Sequence, residues 1–101
     1  MNTYNVTEIP FNIEAEQCAI GSVMIHNDAL RSCSFLKPGD FYRDAHKTMW
    51  EAILDLDAHG TAIDFVTLTD WLETRDRLKE LPDSFAYISR VAIAIPTAAH
   101  A

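Results

Sequence analysis

Between Asp44 and Gly60, the apolar residues Met49, Trp50, Ile53, Leu54 and Leu56 fall at spacings that put them on one face of a helix, with Lys47, Glu51 and Asp55 opposite. Spacing near 3.6 gathers side chains on one side of a helix and scatters them over both faces of a strand. Asp44 suits the entry of a helix and Gly60 its exit, so a helix is predicted between them. A helix with one apolar stripe must bury that stripe against other elements, which commits the rest of the chain to supplying partners.

The flanking segments supply them in the same period. Asn12 is a good N-cap, Glu14 and Glu16 suit the first turn of a helix dipole, and Ile13, Ile20, Val23 and Met24 carry the pattern to about His26-Asn27. Gly21 inside that helix costs about 1 kcal/mol relative to Ala and suggests close approach of another helix. A second helix is read from Asp28 to Leu36, capped by Asn27 or Asp28, and stopped by Lys37-Pro38-Gly39-Asp40. A fourth, with Asp64 as first choice of cap and Thr67 as second, places Phe65, Leu68, Trp71 and Leu72 on one face and ends near Arg75-Asp76. A helical turn over Arg77–Leu81 is closed by Pro82. Ser84 then caps a fifth helix with Phe85, Ile88, Val91, Ala92 and Ile95 inward, a strand over Val91–Ile95 being the weaker reading. Pro96-Thr97 opens a further helix with Ala98, Ala99 and His100 in its first turn.

The fold expected is therefore all-α, a compact orthogonal bundle of five to six short helices. Residues 1–9 read as a flexible arm, 10–96 as the helical globular domain, and 97–101 as the truncated start of a following helix, so the chain is expected to be part of a longer protein. At 101 residues with 49% apolar content it can build one core without staples. Cys18 and Cys33 form no metal or disulfide pattern and read as free, buried thiols in a reducing compartment. The polar start and short apolar runs give neither a secretory leader nor a membrane span.

Charge narrows function. Eight Lys and Arg face fifteen Asp and Glu, a net charge of −7, which opposes tracking of a phosphate backbone or an anionic membrane. The fourth helix, with Asp70 and Glu73 against Arg75, makes a poor reader for a helix-turn-helix. Three scattered glycines cannot form a phosphate-cradling loop. His26, His46, His59 and His100 have no zinc spacing, and His46 reads as a local hydrogen-bonding or packing residue. Glu14 and Glu16 point about 200° apart and read as a solvated turn. Trp50 and Trp71 read as core. No catalytic, cofactor-binding or metal-binding residue is assigned. The residues that bind a partner are not identified, Glu51 and Asp55 being exposed candidates. What remains is an interaction or assembly module; a small enzyme with dispersed residues would need a polar pocket around His46 or Cys33.

An ordered set of motifs then resembles the N-terminal domain of DnaB-type replicative DNA helicases. These are Pro10-Phe11-Asn12-Ile13-Glu14-Ala15-Glu16-Gln17 followed by Gly21 and Met24, then Asp40-Phe41-Tyr42 with His46, and an aromatic at Trp50. Gly60 with Ile63-Asp64-Phe65-Val66-Thr67-Leu68, Tyr87, and Pro96-Thr97-Ala98-Ala99 complete the set. The chain departs from the family in having Asp83-Ser84 where Gly-Gly is common, so the turn there is expected to be capped differently, and His100 where Asn is frequent.

The resemblance implies a non-catalytic collar domain of a hexameric, ATP-driven helicase, which supports ring assembly and docks primase in the cytoplasm. ATP and magnesium would be handled in a C-terminal domain of the parent. Neighbouring helicase subunits and primase are the implied partners, with no direct nucleic acid contact. The alternative is a free-standing, phage-type α-helical adaptor that binds a host helicase or primase. The gene beyond residue 101 separates the two.

Overall fold

The computed structural model describes residues 12–93. The arm over 1–9 and the helix start over 97–101 lie outside them. Five α-helices make up the described chain: α1 Ile13–Ile25, α2 Leu30–Cys33, α3 Asp44–Ala58, α4 Phe65–Thr74 and α5 Ser84–Ile93. Short 3-10 turns stand before α2, between α2 and α3, and between α4 and α5. No strand occurs among the described residues.

The core forms where the apolar stripes meet. Ile20, Val23, Met49, Trp50, Ile53, Leu68, Leu72, Ile88 and Val91 have no accessible surface, so α1, α3, α4 and α5 each contribute to one cluster. Burying each of these large aliphatic side chains is worth about 1.5–3 kcal/mol. Phe41, preceding α3, tilts against Trp50 at 5.1 Å between ring centres, and the Trp50 indole N–H donates to the Leu36 carbonyl at 3.0 Å. Gly21 is buried on α1, which packs against α5 as well as α3.

The helix ends follow local chemistry. Asn12 caps α1 by accepting from the Ala15 N–H at 3.0 Å. At the start of α4, Asp64 accepts from the Thr67 N–H at 2.9 Å while Thr67 Oγ1 accepts from the Asp64 N–H at 3.0 Å. Both predicted caps thus act as one reciprocal box. Helix α3 ends with Gly60 at φ +70°, the Gly60 N–H on Asp57 and the Thr61 N–H on Leu56, the bond pair of a Schellman motif. Helix α4 ends the same way through Asp76 at φ +57°, with the Asp76 N–H on Glu73 and the Arg77 N–H on Leu72.

Three expectations need correction. The second helix does not run from Asp28 to Leu36; a 3-10 turn over Asn27–Ala29 is followed by one α-turn, Leu30–Cys33, without a side-chain cap. Asn27 cannot cap it because its amide is engaged elsewhere, and the Leu36 carbonyl is taken by Trp50. On α5, Tyr87 rather than Phe85 is buried; Phe85 is 46% exposed. Cys18 and Cys33 are free but only half-buried. Over 91–93 the chain is helical, not extended, and the remainder of that alternative lies outside the described residues.

Candidate functional site

The most concentrated polar constellation lies inside the domain, at the junction of α1, α3 and α5. His46, in the first turn of α3, is fully buried. Its Nδ1 lies 2.7 Å from Glu16 Oε1 on α1, and its Nε2 lies 2.5 Å from the Tyr87 hydroxyl on α5. The Glu16 carboxylate also accepts from the Tyr42 N–H at 2.6 Å and the Arg43 N–H at 3.4 Å. These groups stand at the entry of α3, whose own N-cap residue, Arg43, makes no side-chain cap. Glu16 therefore caps α3 from another helix, where negative charge also suits the helix dipole. Burial lowers the His46 pKa from the ordinary 6.5, opposed by the hydrogen bond and charge of Glu16 and aided by the charge of Arg43.

The reading of His46 as a local hydrogen-bonding or packing residue holds for packing, but its hydrogen bonds are not local, reaching Glu16 and Tyr87, 30 and 41 residues away. The solvated turn read for Glu14 and Glu16 holds for Glu14, which is exposed. Glu16 departs from it, its side chain being 12% exposed. Its partners lie 26 to 30 residues away, so no local spacing reveals the role.

A second tie joins the loops. Asn27 Nδ2 donates to the carbonyls of Val23 and Ile63, both at 2.8 Å, and its Oδ1 accepts from the Ile63 N–H at 2.9 Å. A residue read as a cap for its own helix instead anchors the segment entering α4.

Glu51 and Asp55, the exposed candidates, line a cleft of about 500 Å³ with Pro38, Leu54, Ala58, Trp71 and Arg75. Both are already engaged. Asp55 accepts from the Trp71 indole at 2.8 Å and pairs with Arg75, whose guanidinium lies 4.2 Å from the Trp71 ring centre. Glu51 pairs with Arg77 at 3.1 Å. Arg77 also meets Glu80, which accepts from the Thr48 hydroxyl at 2.7 Å. Those two contacts, led by Arg77, hold the Glu80 carboxyl below the ordinary carboxylate value, while Glu51 first and Glu80 second raise Arg77. The cleft thus has a buried tryptophan and a charged rim closed by internal pairs. Large apolar side chains stand outside the core, among them Phe35, Val66 and Ile93, at 74%, 70% and 78% exposure.

Comparison with known proteins identifies the scaffold. Residues 8–101 match the sequence profile of the DnaB-like helicase N terminal domain. This chain belongs to that family. It is 39% identical over 92 residues to the replicative DNA helicase DnaC of Bacillus subtilis, and 40% identical over 92 residues to the replicative DNA helicase DnaB of Geobacillus stearothermophilus. Each match covers 90% of this chain and 20% of the relative, so the chain spans about a fifth of the length of these proteins. The crystal structure of the N-terminal domain of DnaB helicase from Mycobacterium tuberculosis superposes with a TM-score of 0.82 at 36% identity, covering 90% of this chain and 65% of that one.

The residues that carry the family resemblance have physical duties in the fold. Tyr42 and His46 meet Glu16, Phe41 meets Trp50, Ile63 is held by Asn27, Asp64 and Thr67 cap α4, and Tyr87 closes on His46. Asp83 and Ser84 adopt φ +58° and +45°. Glycine enters this left-handed region without steric cost, which accounts for the family's usual Gly-Gly. Here the Asp83 carboxylate pairs with Arg90 at 2.9 Å across the first turns of α5.

Proposed function

We propose that this chain is the non-catalytic N-terminal collar domain of a hexameric replicative DNA helicase, serving ring assembly and primase docking. The observation that carries the reading is the structural likeness to a DnaB helicase N-terminal domain at a TM-score of 0.82 and 36% identity over 90% of the chain. On this reading, ATP and magnesium belong to a C-terminal domain of the parent, and the parent works in the cytoplasm. No helix among the described residues is long and apolar enough to cross a membrane.

The mechanism is protein contact. Glu16, Asn27, His46 and Tyr87 spend their polar groups on ties within the fold, which hold the helices as a rigid unit. Exposed side chains such as Phe35 and Val66 remain for other chains. Docking of the helical C-terminal domain of primase changes how collar domains pack against one another, and the motor ring responds as altered helicase activity.

Calorimetry tests the docking step, using the matching primase fragment and this chain extended by the parent's next segment. Binding heat at micromolar concentrations is expected; its absence refutes docking. The net charge of −7 further implies that the chain alone does not hold single-stranded DNA at physiological salt, and its three scattered glycines, which cannot cradle a phosphate, imply that it does not hydrolyse ATP. Tight, salt-sensitive DNA binding overturns the first of these.

A further inference from the structure

The Glu16–His46–Tyr87 junction fixes where its protons lie. Glu16 Oε1 faces His46 Nδ1, and both carboxylate oxygens take backbone N–H groups from Tyr42 and Arg43. A carboxylate in this role accepts, so Nδ1 carries the ring hydrogen. In the neutral ring Nε2 is then an acceptor, and the Tyr87 hydroxyl at 2.5 Å donates to it. While His46 is neutral, each contact has one donor and one acceptor and the Tyr87 hydroxyl hydrogen is used.

Adding a proton to Nε2 disturbs one side of this arrangement. The ring becomes a donor at both nitrogens, so the Tyr87 hydroxyl has to accept and turn its own hydrogen away. Tyr87 is buried at 4% exposure, and among the described residues His46 is its hydrogen-bond partner. A buried hydroxyl hydrogen left unpaired is costly. The charged groups around the ring come from each neighbouring element. Glu16 on α1 favours the cation, and Arg43 ahead of α3 opposes it. Arg90 on α5 lies 5.6 Å from the Tyr87 ring centre, and full burial of His46 also opposes the cation.

We infer that Glu16, His46 and Tyr87 form a proton-operated latch. With His46 neutral it ties α1 and α5 to the start of α3; uptake of one proton from water at Nε2 strands the Tyr87 hydroxyl hydrogen and weakens the hold on α5 while the Glu16 side holds. The histidine keeps its bond to the carboxylate, now as an ion pair, and the Tyr87 contact reverses, Nε2–H donating to a hydroxyl whose own buried hydrogen loses its acceptor. The latch does not depend on a role in a helicase.

Heteronuclear NMR on the 101-residue chain between pH 8 and pH 5 tests it, with a short histidine-containing peptide as the reference. The His46 ring nitrogens are expected to report the Nδ1–H form at pH 8 and to titrate below the peptide. Amides of Ile88 and Val91 on α5 should lose exchange protection with the midpoint of His46, while Leu68 and Leu72 on α4 keep theirs. Titration of His46 level with the peptide, an Nε2–H form at pH 8, or α5 protection unchanged through the midpoint overturns the latch. In His46→Gln the protection of α5 should not vary with pH. Should that variant not fold, the wild-type titration alone decides.

Discussion

The Glu16 carboxylate receives the Tyr42 N–H at 2.6 Å, although 26 residues separate them. It also accepts from the Arg43 N–H, so a side chain in the first turn of α1 does for the N-cap of α3 what the acidic residue of a capping box does within its own helix. The same carboxylate holds His46, so the entry of α3 and the fixed ring inside it depend on one residue from another helix. This makes the packing of α1 on α3 directional, beyond what apolar contact between Val23, Met49 and Ile53 requires.

Glu16→Ala is expected to lower unfolding free energy by about 2–3 kcal/mol, because it strands the buried His46 Nδ1–H and removes the acceptor of two exposed backbone N–H groups at the entry of α3. Glu16→Gln keeps an acceptor oxygen and should cost roughly half as much. Urea denaturation at neutral pH measures both. A loss below about 0.5 kcal/mol for the alanine variant contradicts the remote-cap assignment.

Asn27→Ala removes three hydrogen bonds that hold Val23 and Ile63 together. The expected cost is about 2 kcal/mol, since the freed Ile63 groups sit beside the core. Asn27→Asp is more telling. It can still accept from the Ile63 N–H but cannot donate to either carbonyl, and it sets a negative charge against them. It should be at least as destabilising as the alanine variant in the same denaturation experiment, and a milder effect argues against the two-carbonyl clamp.

Where local chemistry decides, the sequence is legible. The stripe of α3, the Asp64–Thr67 cap, the exit at Gly60 and the 3-10 turn before Leu81 all follow from residues within a few positions of one another. The second helix is not legible, because its fate turns on Asn27 and Leu36 bonding to Ile63 and Trp50, far along the chain. Glu16 is the same case. A glutamate in a first turn has a sufficient local explanation, and only the fold shows that its partners are Tyr42 and His46. The family motifs contain these residues without stating their duties. The geometry supplies them: within the resemblance at Asp40-Phe41-Tyr42 and His46, Tyr42 and His46 are the donating side of the Glu16 contact.

Backbone conformation yields a signed stability series. Asp76 and Ser84 hold φ +57° and +45°, a region that costs a non-glycine residue about 1–2 kcal/mol. Part of that relief is returned through the greater freedom of glycine in the unfolded chain. Asp76→Gly and Ser84→Gly are therefore each expected to raise stability by about 0.5–1 kcal/mol. Gly60→Ala, at φ +70°, is expected to lower it by about 1 kcal/mol although a Cβ there meets open space. Thermal melts read the sign directly, and a lower melting temperature for both glycine variants contradicts the strain argument.

Acid should weaken the fold in two separate steps. The pKa of His46 is lowered in the folded chain by burial, against the pull of Glu16. Between the folded value and the ordinary 6.5, the unfolded chain binds more protons, so stability rises with pH across that window and falls as the solution is acidified through it. Glu80 is also lowered, by Arg77 first and Thr48 second, from an ordinary 4.5. Its contribution is complete above that unfolded value and is lost as pH falls through the folded one. The Glu80 side chain is 39% exposed, so this lower step should be small and should shrink further in high salt. Urea midpoints measured from pH 8 to pH 3 should show both steps, with His46→Gln removing the upper and Glu80→Gln the lower. If stability instead climbs as the solution is acidified from pH 7 toward pH 5.5, the neutral, Tyr87-bonded state of His46 is not the one that holds α5.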